Sequence, residues 1–197
     1  QKLIKKNIDT CLLNFCVTDQ RSIENAVKKV LRKWGKIDIL INNAGILNKG
    51  HFHKQSVKDI DYMTTVNYLG PAILTKCVLS GMLKKKSGHI VNVSSIGGVI
   101  GFPYIASYSA SKFALEGMSD SLRRELMMYG VDVILIEPGP VQSEIWNKAP
   151  KKDDNPFIGT DFEESLKTFY EQVIEKAQDP LPADVIGNDV SITVAAQ

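Results

Sequence analysis

The 197-residue sequence has few cysteines, little net charge and no long apolar run. Its three cysteines form no C-x-x-C pair and offer no metal spacing, so free thiols in a reducing compartment are expected. A net charge of +2 gives no electrostatic argument for nucleic acid or for an anionic membrane. The longest apolar runs have the length of strands, which predicts neither a membrane span nor a signal peptide. These absences together predict an intracellular, cytoplasmic protein.

Length and composition predict a single globular domain over residues 1–197. The chain is long enough for one sizeable core and too short for two ordinary domains. Its composition, 44% hydrophobic and 23% charged, is typical of a protein with such a core.

Short apolar runs alternate along the chain with patterns of helical period. Four runs predict buried strands, at residues 12–17, 38–42, 89–94 and 132–137. Helices are predicted at 19–34, 56–83, 107–128 and 162–176. Gly70-Pro71 interrupts the second and predicts a kink just after Asn67. Near-continuous apolar strands that alternate with helices indicate an α/β fold, a doubly wound parallel sheet with helices on both faces.

One stretch, HIVNVSSIGGVIGFPYIASYSASK at residues 89–112, combines a predicted strand, a glycine-rich turn and the start of a helix. Ser95 stands at the end of the strand, and Tyr108 and Lys112 share one face of the helix. Free tyrosine has a pKa of about 10, and a lysine ammonium one turn away can lower it toward the range of a general base. The Ser95 hydroxyl can orient a substrate oxygen. By itself, however, a tyrosine–lysine pair at this spacing is more often surface packing than catalysis.

Five motifs that occur together favour catalysis over surface packing. They are NNAG at 42–45, VNYLG around Asn67, VNVSS ending at Ser95, YSASK at 108–112 and PGPV at 138–141. In this order and spacing, from about residue 12 to about residue 145, the sequence resembles the short-chain dehydrogenase/reductase family. The resemblance implies a Rossmann-like fold and an NAD(P)-dependent oxidoreductase that interconverts an alcohol and its ketone or aldehyde.

The resemblance also implies four catalytic residues. Tyr108 matches the acid/base, and Lys112 matches the lysine that lowers its pKa and holds the nicotinamide ribose. Ser95, rather than the neighbouring Ser94, matches the serine that orients the substrate. Asn67 matches the asparagine at a helix kink that positions a water between the lysine and solvent.

The implied cofactor is NAD or NADP, and the residues that would line its site belong to the motifs or flank them. Tyr108 and Lys112 are among them, and the others are Val17, Asn43, Ala44, Gly45, Pro138, Gly139, Val141 and Ser143. Cys16, expected to be an inert buried thiol, stands where the family usually has an aspartate that accepts from the adenine amine. A thiol is a poor acceptor, so weaker adenine binding is expected.

The glycine-rich turn on which such sites hold the pyrophosphate is not found in this sequence. The predicted strands correspond to strands 3 to 6 of the order 3-2-1-4-5-6, so the first two strands would be absent. Our hypothesis is that the sequence is a Rossmann-type domain from a longer enzyme, incomplete at both its N-terminus and its C-terminus, which is compatible with a membrane anchor upstream. The alternative is a truncated, catalytically inactive relative that acts as an interaction or oligomerisation partner, with residues 12–17 pairing directly with 38–42.

The expected partners are a small-molecule alcohol or carbonyl substrate and further copies of the chain. The segment at about 143–185 is expected to cover the substrate, and its apolar content favours a hydrophobic one. Phe102, Ile145 and Trp146 are candidates to line that pocket, with ordinary packing an equal alternative. His51 and His53, in a polar loop, are expected on the surface. The resemblance implies a homodimer or homotetramer through paired helices.

Overall fold

The computed structural model describes residues 9–139, 159–160 and 163–169. Within them, three parallel strands form one sheet in chain order: Ile39–Asn42 (β1), Gly88–Val93 (β2) and Val131–Ile136 (β3). The central strand β2 pairs Val91 with Ile41 on one side and with Ile134 on the other. The predicted α/β class with a parallel sheet is confirmed.

Helices precede, connect and follow the strands. The described helices are Gln20–Trp34 (α1), Val57–Thr64 (α2), Gly70–Lys85 (α3), Ala106–Leu126 (α4) and Glu163–Phe169 (α5). Short 3₁₀ turns lie at Phe52–Lys54, Ile96–Gly98 and Met127–Tyr129. Of the predicted substrate-covering segment, only α5 and residues 159–160 fall within the described part.

The ends of α1 follow from local chemistry. The Asp19 carboxylate accepts a hydrogen bond of 3.0 Å from the Arg21 N–H at the N-terminus. Gly35, with φ of 75°, closes the C-terminus in the left-handed conformation that a glycine adopts without strain. The predicted bounds of this helix are therefore confirmed to within a residue.

The core lies between the sheet and α1, α3 and α4. Its buried side chains are Val27, Val78, Met82, Ile90, Leu126, Val131 and Val133. On the other face of β1, Ile39 and Ile41 are 39% and 52% exposed. The sequence predicts helices on both faces of the sheet. Within the described residues, β1 has helices packed on one face only.

The predicted strand at residues 12–17 is wrong. Residues 11–16 form no ladder with any described strand, and Leu12 is 81% exposed. An apolar, extended segment becomes a strand only when a neighbour accepts its backbone hydrogen bonds, and β1 pairs with β2 alone. Cys16 is consequently exposed rather than buried, and a hydrogen bond with Thr18 lowers the pKa of its thiol.

The predicted kink at Gly70-Pro71 is a π-helical turn, not a break. Pro71 has no N–H to give to the Asn67 carbonyl four residues earlier. The chain accommodates this over Thr65–Leu69, where the Gly70 N–H reaches back five residues to the Thr65 carbonyl. Helix α2 therefore continues into α3 without interruption.

The resulting helical stretch, Val57–Lys85, has 29 residues and is the one described segment long and apolar enough to cross a membrane. The sequence predicts apolar runs no longer than a strand. The apolar helical stretch is longer because the glycine–proline pair does not end the helix. A core helix of a globular domain passes the same test, and α3 packs against β1, β2 and α1. The segment is therefore weak evidence for a membrane span.

Gly70 marks the point where this long helix touches the segment before α1. A β-carbon at Gly70 would stand 2.7 Å from the Val17 carbonyl oxygen, so the backbone would have to move. We expect Gly70→Ala to lower the free energy of unfolding by about 1–3 kcal/mol. Gly81, in the same helix with open space at its β position, is the control, and Gly81→Ala should raise it by about 0.5–1 kcal/mol. Urea unfolding compares the two, and effects of the same sign would contradict this contact.

Candidate active site

Ser95 lies just past the C-terminal end of β2, in a turn tied to the neighbouring strand. The Ser94 N–H donates to the Ile136 carbonyl at 2.7 Å, and the Ile96 N–H donates to the Pro138 carbonyl at 3.0 Å. The Ser95 hydroxyl oxygen accepts a hydrogen bond of 3.1 Å from the Gly97 N–H. The serine is thus held on both sides at the sheet edge where Rossmann-type proteins bind ligands.

The Tyr108 phenol packs against this turn. A β-carbon at Gly97 would stand 3.2 Å from Cε1 of Tyr108 and 3.5 Å from the Ser95 hydroxyl oxygen. The missing side chain at Gly97 therefore lets the phenol and the hydroxyl approach each other. Burial raises the pKa of Tyr108, and the hydrogen-bonding Ser95 hydroxyl opposes that rise. The net shift of this pKa is upward, opposite to the lowering by Lys112 that the sequence predicted.

Lys112 lies behind the phenol, buried to 5% exposure. Its Nζ donates to the Val93 carbonyl at 2.8 Å and stands 5.9 Å from the centre of the Tyr108 ring. Burial lowers the pKa of Lys112 to about 8, with the Glu116 carboxylate acting in the opposite direction. An ammonium has three donors, and Val93 takes one of them. The other two are suited to a ligand's hydroxyl groups.

Asn67 joins the π-helical turn to the loop after β1 and to α4. Its side chain is fully buried, with Oδ1 accepting from the Ile46 N–H and Nδ2 donating to the Ile46 carbonyl, each at 2.9 Å. Nδ2 also donates to the Ser111 hydroxyl at 2.9 Å, and that hydroxyl donates to the Tyr108 carbonyl at 2.7 Å. The side chain is thus committed to protein partners, while its role toward a water stays a prediction.

The predicted cofactor residues other than Tyr108 and Lys112 fall into four groups. Asn43, Ala44 and Gly45 form an exposed loop after β1, and a β-carbon at Gly45 would lie 3.6 Å from Nζ of Lys112. Pro138 and Gly139 follow β3, and Val17 lies against α3 through Gly70. Val141 and Ser143, like Ile145 and Trp146, lie outside the described residues.

A buried polar network, not foreseen from the sequence, fixes α4 on the sheet. Asn42 and Asn92 face each other in register on β1 and β2, and Nδ2 of Asn42 donates to Oδ1 of Asn92 at 2.8 Å and to the Thr75 hydroxyl at 3.3 Å. Nδ2 of Asn92 donates to the Ser119 hydroxyl at 2.8 Å. The sequence signal for this network was one asparagine in each of two otherwise apolar strands. The network sets the position of the helix that carries Tyr108.

The loop with two histidines packs against the segment before α4. His51, expected on the surface, is buried because its ring meets the Tyr104 ring edge-on at 4.9 Å, while His53 is exposed. The Gly50 N–H donates to the Tyr104 carbonyl at 2.8 Å. The Ser107 hydroxyl, next to Tyr108, also donates to Oε1 of Gln55.

Comparison with known proteins identifies the family. The family model described as short chain dehydrogenase matches residues 1–154. The NADPH-dependent 3-dehydrocapnine reductase of Ornithobacterium rhinotracheale is 36% identical over 180 residues, which cover 88% of this chain and 63% of that protein. Human dehydrogenase/reductase SDR family member 7 is 41% identical over 163 residues, which cover 82% of this chain and 48% of that protein.

Solved structures agree with this assignment. A short-chain dehydrogenase from Streptomyces avermitilis superposes with a TM-score of 0.79 at 27% identity, over 98% of this chain and 69% of that one. A metagenomic short-chain oxidoreductase in complex with NADP gives 0.68 at 29% identity, over 71% of this chain and 65% of that one. The chain belongs to the short-chain dehydrogenase family and has its Rossmann-type fold. It spans about half to two thirds of the length of these curated relatives.

Proposed function

We propose that this chain carries the catalytic part of an NAD(P)-dependent oxidoreductase that interconverts an alcohol and its ketone or aldehyde. The observation that carries the proposal is the grouping of Ser95, Tyr108 and Lys112 at the end of β2, with the lysine buried beside the phenol. Family membership supports it, as do a relative named as an NADPH-dependent reductase and a structural neighbour solved with NADP.

The described residues fit a nicotinamide cofactor. Gly45 leaves space between its backbone and both Nζ of Lys112 and Oδ1 of Asn67, and a larger residue there would fill it. The two remaining Lys112 donors would hold the nicotinamide ribose, and the adenosine side would lie along Val17, Asn43 and Ala44. When bound, the cofactor supplies or accepts a hydride at its nicotinamide ring. Pro138 and Gly139, with Val141 and Ser143 beyond the described part, would border that ring.

The protein's part in the reaction is the movement of a proton. In the reducing direction the neutral Tyr108 phenol donates its proton to the substrate oxygen, which the Ser95 hydroxyl holds in place. Lys112, an ammonium below pH of about 8, stabilises the phenolate that remains.

The substrate in this proposal is a small hydrophobic molecule. The chain just after Ser95 exposes a run of apolar side chains, with Ile96, Val99 and Ile100 at 38%, 50% and 53% exposure. Phe102, also after the turn, is half-buried. A carbonyl oxygen placed between Ser95 and Tyr108 would therefore have apolar surface beside it.

We also propose that the protein forms a homodimer or homotetramer through its long helices. Leu69, at the end of the π-helical turn, and Phe113, on α4, are 42% and 46% exposed in the single chain. Burying such side chains between copies would favour association.

The proposal is tested by titrating the full-length protein with NADPH and with NADH while following nicotinamide fluorescence. We expect saturable binding and, on addition of an apolar aldehyde or ketone, oxidation of the bound cofactor. A full-length protein that binds neither nucleotide would exclude the enzyme and favour the inactive interaction partner.

A further inference from the structure

Glu116 lies one helical turn beyond Lys112 on α4 and takes no part in the motifs or in the mechanism above. Gly98, in the turn that carries Ser95, shows what surrounds it. A β-carbon at Gly98 would stand 2.8 Å from the Ser94 hydroxyl oxygen, 3.1 Å from Cγ of Glu116 and 3.1 Å from Cβ of Lys112. The three side chains therefore meet at the glycine.

Two polar atoms of this cluster are buried without a hydrogen-bond partner among the described residues. They are the hydroxyl oxygen of Ser94, a residue at 3% exposure, and Oε1 of Glu116. A buried carboxylate oxygen is costly unless a hydroxyl or a positive charge lies close to it. Ser94 offers the hydroxyl, and Lys112, one helical turn away on α4, offers the positive charge.

We propose that Glu116 is a positioning residue, which pairs with Ser94 beneath the Gly97-Gly98 turn and places a negative charge one helical turn from Lys112. The effect on the charge of Lys112 stands by itself, and its consequence for catalysis rests on the proposed function. Since the turn carries Ser95, the same pair fixes the serine relative to Tyr108.

The electrostatics of the cluster are consistent with this role. Burial raises the pKa of Glu116, and the Ser94 hydroxyl lowers it. The other charged groups that act on the carboxylate are Asp120 and Arg123 on α4 and Glu137 after β3. Lys112 is influenced by Glu116 and otherwise by its own burial. Loss of the Glu116 charge would therefore act on Lys112 at the alkaline side, where the ammonium loses its proton.

The test is an NMR titration of the protein labelled with ¹³C at the lysine ε-carbons, with Lys112→Met to assign the signal. Glu116→Gln should lower the pKa of Lys112 by about half a unit or more, a threefold change in proton affinity. Glu125→Gln removes an exposed carboxylate from the same helix and should leave the pKa of Lys112 unchanged. An unchanged Lys112 pKa in Glu116→Gln would overturn the proposal.

Circular dichroism would reveal a folding defect in Glu116→Gln, and a second variant tests the role of the charge. Glu116→Asp keeps the charge and should retain a Lys112 pKa near that of the wild type, and a pKa as low as that of Glu116→Gln would contradict a role for charge.

In the active enzyme, Glu116→Gln should move the alkaline limb of kcat/KM to lower pH by the same amount. A shifted Lys112 titration with an unshifted rate profile would overturn the catalytic consequence. If the full-length protein has no turnover, the proposed function fails, while the NMR titration still decides whether Glu116 sets the charge of Lys112.

Discussion

Tyr108→Phe is expected to reduce carbonyl turnover about 100- to 10,000-fold, the contribution of a positioned general acid, while cofactor affinity stays nearly unchanged. The phenyl ring keeps the packing against Gly97, where the Tyr108 ring edge approaches to 3.2 Å of the β position. What is lost is the hydroxyl and its proton. Steady-state turnover and a fluorescence titration with NADPH, run on the same full-length preparation, measure the two quantities.

Tyr62→Phe is the matched control because Tyr62 lies on α2 and is 55% exposed. It makes the same chemical change at a position outside the candidate site and should alter neither quantity. Turnover retained in Tyr108→Phe would remove Tyr108 as the proton donor, whatever the behaviour of the control.

Lys112→Met is expected to lose activity and to gain stability at neutral pH. Activity should fall about 100- to 1,000-fold, since the phenolate left after proton donation loses its stabilising ammonium. The free energy of unfolding should rise by about 1–3 kcal/mol, because the variant no longer buries the charge that the wild type holds at 5% exposure. Loss of the hydrogen bond from Lys112 to the Val93 carbonyl offsets part of this gain.

The pH dependence of that gain has a definite sign. The pKa of Lys112 is lowered from the ordinary lysine value of 10.5 to about 8 in the folded protein. The destabilising charge is therefore present in full below pH 8. Above pH 8 the folded protein releases the proton, and wild-type stability rises toward that of the variant until about pH 10.5. Urea unfolding at several pH values measures this convergence.

Lys58→Met, at an exposed position on α2, is the control and should change stability little at any pH. A Lys112→Met variant that is less stable than the wild type at pH 7 would contradict the burial cost assigned to this lysine.

Local signals in the sequence were sufficient for the helices up to residue 126 and for three of the strands. Asp19 and Gly35 fix the ends of α1 through a carboxylate cap and a left-handed turn, both readable from neighbouring residues. The run at 12–17 has the same apolar character as β2 but lacks a described partner, and pairing is a property of the fold rather than of the run. The irregularity near Asn67 was predicted in place, although its π-helical form, in which the Gly70 N–H reaches the Thr65 carbonyl, was not.

The candidate site divides in the same way. Ser95, Tyr108 and Lys112 are visible as a linear motif because one strand, one turn and one helix carry them. Gly97 and Glu116 gain their significance only from what packs against them, which no spacing reveals. The burial of His51 against Tyr104 is likewise a contact between two loops that the sequence separates by about fifty positions.

The most direct test of the account is the transfer of deuterium from NADPH labelled at the nicotinamide ring to an apolar ketone or aldehyde by the full-length protein. Mass spectrometry of the alcohol should show a single deuterium at the former carbonyl carbon with the wild type. The product should be almost absent with Tyr108→Phe, although that variant binds NADPH. A wild-type protein that binds NADPH and forms no deuterated alcohol from any of a broad set of carbonyl compounds would contradict the account.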